Sequence, residues 1–201
     1  GDNAGTGPTI TNNYPVSIGI EHAGMTQGAS QHRWLFSSDG GATAHKFNGF
    51  NYTIAMDVVV DSPDFNKRKE AGFIFDGPSG DGKFMIGSEG EIAVFGANLP
   101  FHGFGNVYQH GQTVRLKMAF TPGFVEYSVK LWDNTVLTSG PKAYSGLPSD
   151  YVVGGYLQGP GNANEPQSMT ARYANIEVVP EPATMVALAL GSAALIRRRR
   201  K

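Results

Sequence analysis

The sequence predicts an all-β body built as an antiparallel two-sheet β-sandwich. Apolar and polar residues alternate with a period of two through much of residues 16–178, which is typical of strands with one buried face. The 27 glycines and the aromatic content of 11% fit short strands separated by tight turns. No stretch before residue 179 keeps a helical period, so we expect about ten strands and no helix in the body.

The clearest single element is a hairpin over residues 113–132. Val114, Leu116, Met118 and Phe120 share one face of its first strand, and the second strand alternates again after a Thr-Pro-Gly turn. Residues 52–60 and 71–75 predict two further strands with one apolar face each. Shorter strands are predicted at residues 16–20, 34–36, 83–86, 91–95, 151–157 and 172–178.

Antiparallel strands with one wet face bury the other face against a second sheet, so a sandwich follows. Among sandwiches we expect a jelly roll, with an immunoglobulin-like sandwich as the alternative. The order of the 70–75 strand, the 113–132 hairpin and the closing 172–178 strand resembles the concanavalin A-like lectin and glucanase (LamG-like) superfamily.

Composition excludes several functions. The chain has no cysteine, which rules out disulfides, thiolate metal sites and a cysteine nucleophile. Five of the 16 basic residues lie at 197–201, while only Glu181 of the 17 acids follows residue 178. The body is therefore acidic, and we do not expect nucleic acid as a partner, because phosphate binding needs clustered Lys and Arg.

Residues 183–196 form an uncharged, mostly apolar run, which predicts a short transmembrane helix. As a helix it covers ~21 Å, less than the ~30 Å hydrocarbon core of a bilayer. The basic cluster that follows should stay cytoplasmic, which puts the body outside. A buried core helix with a basic end and a permanent simple anchor are the alternatives.

Pro180-Glu181-Pro182, the apolar run and the terminal basic cluster together resemble the PEP-CTERM sorting signal of Gram-negative bacteria. The resemblance implies export, a transient inner-membrane anchor, processing by an exosortase and then release to the cell surface or extracellular matrix. It divides the chain into a sandwich domain, 1–178, and a sorting signal, 179–201. We also expect an N-terminal signal peptide before Gly1. The implied sorting residues are Pro180, Glu181, Pro182, Arg197, Arg198, Arg199 and Arg200.

Known catalytic patterns are missing from the body. Glu89 and Glu91 come nearest to the Glu-x-Asp-x-x-Glu strand of family-16 glucanases, but the third acid is absent. The five histidines show no metal-binding spacing, and neither a nucleophile elbow nor a phosphate loop occurs. We therefore expect a protein that is not an enzyme, with a glycoside hydrolase as an alternative.

Two loops offer binding chemistry. The segment from Asp76 to Asp81 supplies oxygen ligands of the kind calcium takes, although a plain Gly-rich turn accounts for the same residues. The Gly-rich segment 96–111 carries Phe101, Phe104 and Tyr108, whose rings would either stack on sugars or plug the end of the core.

The leading expectation is a surface or matrix protein with a structural or adhesive role. A carbohydrate-binding, lectin-like module for exopolysaccharide is the first alternative. Self-assembly into filaments through an exposed strand edge, with residues 9–14 as a candidate, is also open.

Overall fold

A computed structural model describes residues 7–25, 29–47, 51–64, 68–77, 80–96, 99–145, 151–160 and 167–180. All regular structure in these residues is β, which confirms the predicted all-β class. The strands are β1 (Thr9–Asn13), β2 (Ser17–Met25), β3 (Ala29–Leu35), β4 (Tyr52–Asp61), β5 (Glu70–Asp76), β6 (Gly82–Gly87), β7 (Glu91–Gly96), β8 (His102–Asn106), β9 (Val114–Thr121), β10 (Phe124–Lys130), β11 (Val136–Ala143), β12 (Val152–Pro160) and β13 (Gln167–Pro180).

The strands form two antiparallel sheets. The seven-stranded sheet has the order β1-β2-β13-β4-β9-β10-β11, and the six-stranded sheet has the order β3-β12-β5-β6-β7-β8. The predicted two-sheet sandwich is therefore confirmed. The two sheets together contain thirteen strands, more than the seven to nine of an immunoglobulin-like domain, which argues against that alternative.

One continuous apolar core lies between the sheets. On β4, Ile54, Met56, Val58 and Val60 are all fully buried, as the alternation of the sequence predicts. Aromatic rings join the two layers: Phe75 of β5 lies 6.1 Å from the ring of Phe120 on β9. Burying each such side chain stabilises the fold by about 1.5–3 kcal/mol, so the core supplies the main favourable term.

Three strands were not predicted, and each has a weak sequence signal. All five residues of β1 are exposed, so the strand has no apolar face to produce alternation. Glycines occupy two of the five positions in β8, within the segment predicted to be a loop. Pro141 interrupts β11, which is an edge strand and can tolerate the missing N–H.

The β1 strand is an outer edge of the seven-stranded sheet. Its exposed position is compatible with the predicted strand-edge assembly, which stays a prediction.

The predicted boundary between residues 178 and 179 falls inside a strand. β13 continues to Pro180, and Val179 and Pro180 are in register with Thr53 and Tyr52 of β4. The predicted helix at 183–196 lies outside the described residues. Within the described ranges, no helix is long and apolar enough to span a bilayer.

The close approach of β12 and β3 gives a stability test. A Cβ added at Gly154 would lie 1.8 Å from the carbonyl oxygen of Trp34, whereas one at Gly19 would meet nothing closer than 3.7 Å. We expect Gly154→Ala to lower the free energy of unfolding by about 1–3 kcal/mol or more. Gly19→Ala is the matched control and should change it little. Urea unfolding of both variants measures the difference, and equal midpoints would contradict this packing.

Candidate functional site

A polar network covers a small apolar floor on the outer face of the six-stranded sheet. The floor consists of Ile74, Met85 and Ala93 with the ring of Tyr156, all almost fully buried. Tyr156 Oη donates to Glu70 Oε2 at 3.1 Å. Burial, together with the nearby Glu70 carboxylate, raises the pKa of Tyr156 well above its usual value, so the phenol stays neutral.

Lys83 lies beside this tyrosine. Its Nζ sits 4.9 Å from the centre of the Tyr156 ring and donates to Gln158 Oε1 at 2.8 Å. Desolvation lowers the pKa of Lys83. Gln31 Nε2 donates to the same Gln158 oxygen at 2.9 Å, so these polar groups are bonded chiefly to one another.

Arg68 holds the two carboxylates of the network. Its Nε bonds Glu70 Oε1 at 2.5 Å, and its NH1 pairs with Glu91 Oε2 at 2.7 Å. Both acids are thereby occupied by a guanidinium. The side chain of Glu70 is only 9% exposed, so this part of the network covers the apolar floor beneath it.

A second polar cluster lies on the outer face of the seven-stranded sheet, around Arg115 of β9. Arg115 NH1 bonds Asp57 Oδ1 of β4, and NH2 bonds Glu177 Oε2 of β13, both at 2.8 Å. NH1 also donates to the carbonyl oxygen of Asn175 at 3.1 Å, and Asn175 Nδ2 donates to Asp57 Oδ2 at 2.7 Å. One guanidinium on β9 therefore fixes side chains from two other strands, β4 and β13.

This cluster forms part of an open groove of about 540 Å³, which we call the Trp132 groove. Trp132 follows β10, and 39% of its surface is exposed. Its polar lining is completed by Lys130 at the end of β10, Asn134 of the following turn, and Gln112 and Thr113 before β9. The groove thus offers a flat apolar ring next to fixed carboxylate oxygens, which keep free lone pairs for hydroxyl donors.

The structure separates the three rings predicted to bind a ligand. Phe101 is 72% exposed, but Tyr108 is buried and its hydroxyl bonds the backbone of Val60. Phe104 is partly buried and stacks on Phe84 of the core, with ring centres 5.9 Å apart. Tyr108 and Phe104 thus pack at the edge of the core, where large rings contribute by burial, and ligand binding by the three rings stays a prediction.

The remaining predicted residues are either exposed in turns or paired with arginines. Glu89 is exposed in the turn before β7, while Glu91 on β7 pairs with Arg68. Asp76 forms an ion pair with Arg33, and Asp81 is exposed beside β6. Among the described side chains, no group of three or more His, Asp or Glu could hold a metal ion. Calcium binding by Asp76 and Asp81 stays a prediction.

The Trp132 groove has only a faint signal in the sequence. Asp57, Arg115 and Glu177 are far apart along the chain, and each looks like an ordinary polar residue on the wet face of a strand. Of the predicted sorting residues, Pro180 lies at the end of β13. Glu181, Pro182, Arg197, Arg198, Arg199 and Arg200 lie outside the described residues.

Fold and sites together define a jelly-roll β-sandwich, and solved structures share this fold. An alginate lyase from Corynebacterium sp. matches with a TM-score of 0.61 and 9% identity, over 89% of this chain and 82% of that one. A functionally unknown protein from Saccharomyces cerevisiae matches with a TM-score of 0.55 and 11% identity, over 86% and 91% of the chains. At these identities the likeness concerns the fold alone.

A sialidase from Trypanosoma rangeli, in complex with 2,3-difluorosialic acid, matches with a TM-score of 0.51 and 14% identity. The match covers 89% of this chain but 30% of that one, so this chain corresponds to a part of the sialidase. These neighbours agree with the resemblance to lectin and glucanase jelly rolls.

Residues 178–201 match the model of the PEP-CTERM protein-sorting motif. The chain therefore carries a PEP-CTERM signal, which implies export and membrane-anchored sorting by an exosortase to the surface. No curated protein matches the sequence. The motif overlaps the last three residues of β13, so the signal begins inside the folded sheet.

Buried tyrosines predict a loss of stability in alkali. Burial raises the pKa of Tyr52, Tyr127 and Tyr173 above the usual value near 10. In the unfolded chain these phenols ionise at about pH 10, whereas in the folded protein they stay protonated. Stability is therefore complete below about pH 10 and falls above it, by up to about 1.4 kcal/mol per pH unit for each such group.

Urea unfolding at pH 8 and pH 11 measures this effect. Tyr173→Phe should reduce the pH dependence, whereas Tyr14→Phe should leave it unchanged, because Tyr14 is 64% exposed. A wild-type midpoint that does not move between the two pH values would contradict the prediction.

Proposed function

We propose that the body is a non-catalytic adhesive module that binds polysaccharide in the Trp132 groove. The observation that carries the proposal is the exposed Trp132 ring next to the side chains held by Arg115. A pyranose ring presents an apolar C–H face and a rim of hydroxyls. The groove offers a partner for each: the indole for the face, and the oxygens of Asp57 and Glu177 for the hydroxyls.

Preorganisation supports binding at this groove. Asp57 and Glu177 are already held by Arg115, so little side-chain entropy would be lost when a sugar binds. The groove is open rather than enclosed, which suits an internal stretch of a long polymer better than a small ligand. Two of the structural neighbours have names, alginate lyase and sialidase, that refer to enzymes acting on carbohydrates.

The non-catalytic part of the proposal rests on how the acids are engaged. At either polar cluster, general acid–base chemistry by a carboxyl group would need that group to be free to exchange a proton with the substrate. Glu70 and Glu91 are held by Arg68, and Asp57 and Glu177 by Arg115. The full chain should therefore release no reducing sugar or unsaturated product from a broad polysaccharide panel.

A substitution in the groove tests polysaccharide binding. Trp132→Ala should weaken binding on a glycan array or by calorimetry by roughly thirtyfold, equivalent to about 2 kcal/mol, because the stacking surface is lost. Phe101→Ala is the matched control: it removes another exposed aromatic ring from a different part of the molecule and should leave the affinity unchanged.

If Phe101→Ala weakens binding and Trp132→Ala does not, the segment around Phe101 is the binding site instead. If the wild-type chain binds no polysaccharide, the binding proposal is wrong and the structural role remains.

For the sorting step, we propose that the basic cluster holds the signal on the cytoplasmic side of the inner membrane of a Gram-negative cell. The exported body would then reach the cell surface or an extracellular matrix of exopolysaccharide. The support is the charge of the cluster, since Lys and Arg next to a membrane segment are retained inside.

Charge reversal tests this step. Changing Arg197 through Arg200 to Asp should leave the precursor unprocessed, because the charges that retain the signal are lost. Immunoblotting of membrane and surface fractions would detect this. The same four residues changed to Lys keep the charge and should be processed normally. Normal processing of the Asp variant would overturn the proposed role.

A further inference from the structure

The sorting signal begins inside the seven-stranded sheet, at one end of the sandwich. Val178, Val179 and Pro180 belong to the matched motif and are in register with Ile54, Thr53 and Tyr52 of β4. Tyr52 is in turn opposite Phe120 of β9. We call the end of the sandwich marked by Pro180, Tyr52 and Phe120 the exit end.

Chain length limits how far the exit end can lie from a bilayer. The apolar run starts at Ala183, three residues after Pro180. Three fully extended residues span at most ~11 Å. The headgroup layer on each side of the hydrocarbon is itself about 5–7 Å thick. While the run is in the membrane, the exit end must therefore lie on or in the headgroup layer.

The exit end has the surface chemistry of an interface. Val178 and Val179 are 45% and 49% exposed, and Phe124, at the tip of the β9–β10 hairpin, is 49% exposed. Phe124 is in register with Ala143, so Lys142 lies at the same end. Apolar side chains and aromatic rings with a flanking lysine are the groups that favour the boundary between lipid and water.

Phe101 adds to this surface. It directly precedes His102, whose pKa is lowered by burial and by the nearby Lys142. Phe101 is the second most exposed large apolar side chain among the described residues, at 72%. Nothing in the body's core or in the Trp132 groove requires this exposure.

We propose that the exit end is a membrane-docking surface, on which the body rests against the lipid headgroups while the sorting signal is anchored. The occupant is the lipid headgroup layer itself. Docking fixes the orientation of the sandwich. Trp132 follows the far end of β10, so its ring lies at the end of the sandwich away from the bilayer and stays accessible to polysaccharide during sorting.

The absence of cysteine in the chain allows a direct test. Phe124 and Val136 lie at opposite ends of the β10–β11 pair, about 20 Å apart, and have similar exposures of 49% and 59%. Single variants Phe124→Cys and Val136→Cys of the full chain would be labelled with bimane. The labelled chains would then be reconstituted into phosphatidylethanolamine–phosphatidylglycerol vesicles containing a headgroup nitroxide lipid.

We expect severalfold stronger quenching at position 124 than at position 136. Phe101→Cys is a second reporter for the exit end in case the first variant folds poorly, and Ile10→Cys is a second control for the far end. Equal quenching at both ends, or none at either, would overturn the proposal. A blue shift without quenching at position 124 would also overturn it, because another copy of the chain would then cover the surface.

The docking proposal rests on the membrane-anchored state of the chain, and vesicle flotation tests that state separately. If the full chain does not float with the vesicles, both docking and the membrane-anchored state are wrong. Polysaccharide binding by the anchored chain should equal that of the chain in detergent. A docked chain that binds no polysaccharide would contradict the proposed function while supporting the docking surface.

Discussion

The pairing of the last strand, β13, is the interaction on which the rest of the structure depends. β13 lies between β2 and β4 and joins the β1–β2 hairpin to the other four strands of its sheet. It also links the two layers, because the hydroxyl of Tyr173 donates to the carbonyl oxygen of Tyr156 on β12. The same strand ends in the sorting signal, so the integrity of the fold and the position of the signal are coupled.

A local irregularity in β13 creates the groove. The register between β13 and β4 shifts between Ala174 and Glu177, and Asn175 has a positive φ of 46°. Such a bulge turns backbone and side chains out of the regular ladder. Here it brings the carbonyl of Asn175 to Arg115 and brings Glu177 to the same guanidinium. A regular strand would not present these groups together.

The two outer faces use similar residues in different ways. On the six-stranded sheet, Arg68, Glu70 and Tyr156 are bonded to one another over a buried apolar floor, and unpaired buried polar groups there would be costly. On the seven-stranded sheet, Arg115 and its acids line the groove beside Trp132. The first cluster covers a buried floor, and the second lines a groove.

The sequence by itself determined the fold class and most of the strands. The alternation of residues 114–120 and 125–131 directly reflects burial on one face, and the sorting motif is a contiguous run of residues. Contiguous patterns of this kind need no knowledge of what packs against them. The strands that lacked alternation, β1, β8 and β11, were accordingly not predicted.

Only the tertiary structure decided which polar residues meet. Asp57, Arg115 and Glu177 converge because β4 lies between β13 and β9, an order that no local pattern encodes. The structure likewise decided that Tyr108 is buried while Phe101 is exposed, since both rings look alike in a Gly-rich segment. Strand order and the depth of the core are products of long-range packing. For that reason the candidate site and the orientation of the exit end emerged only from the folded chain.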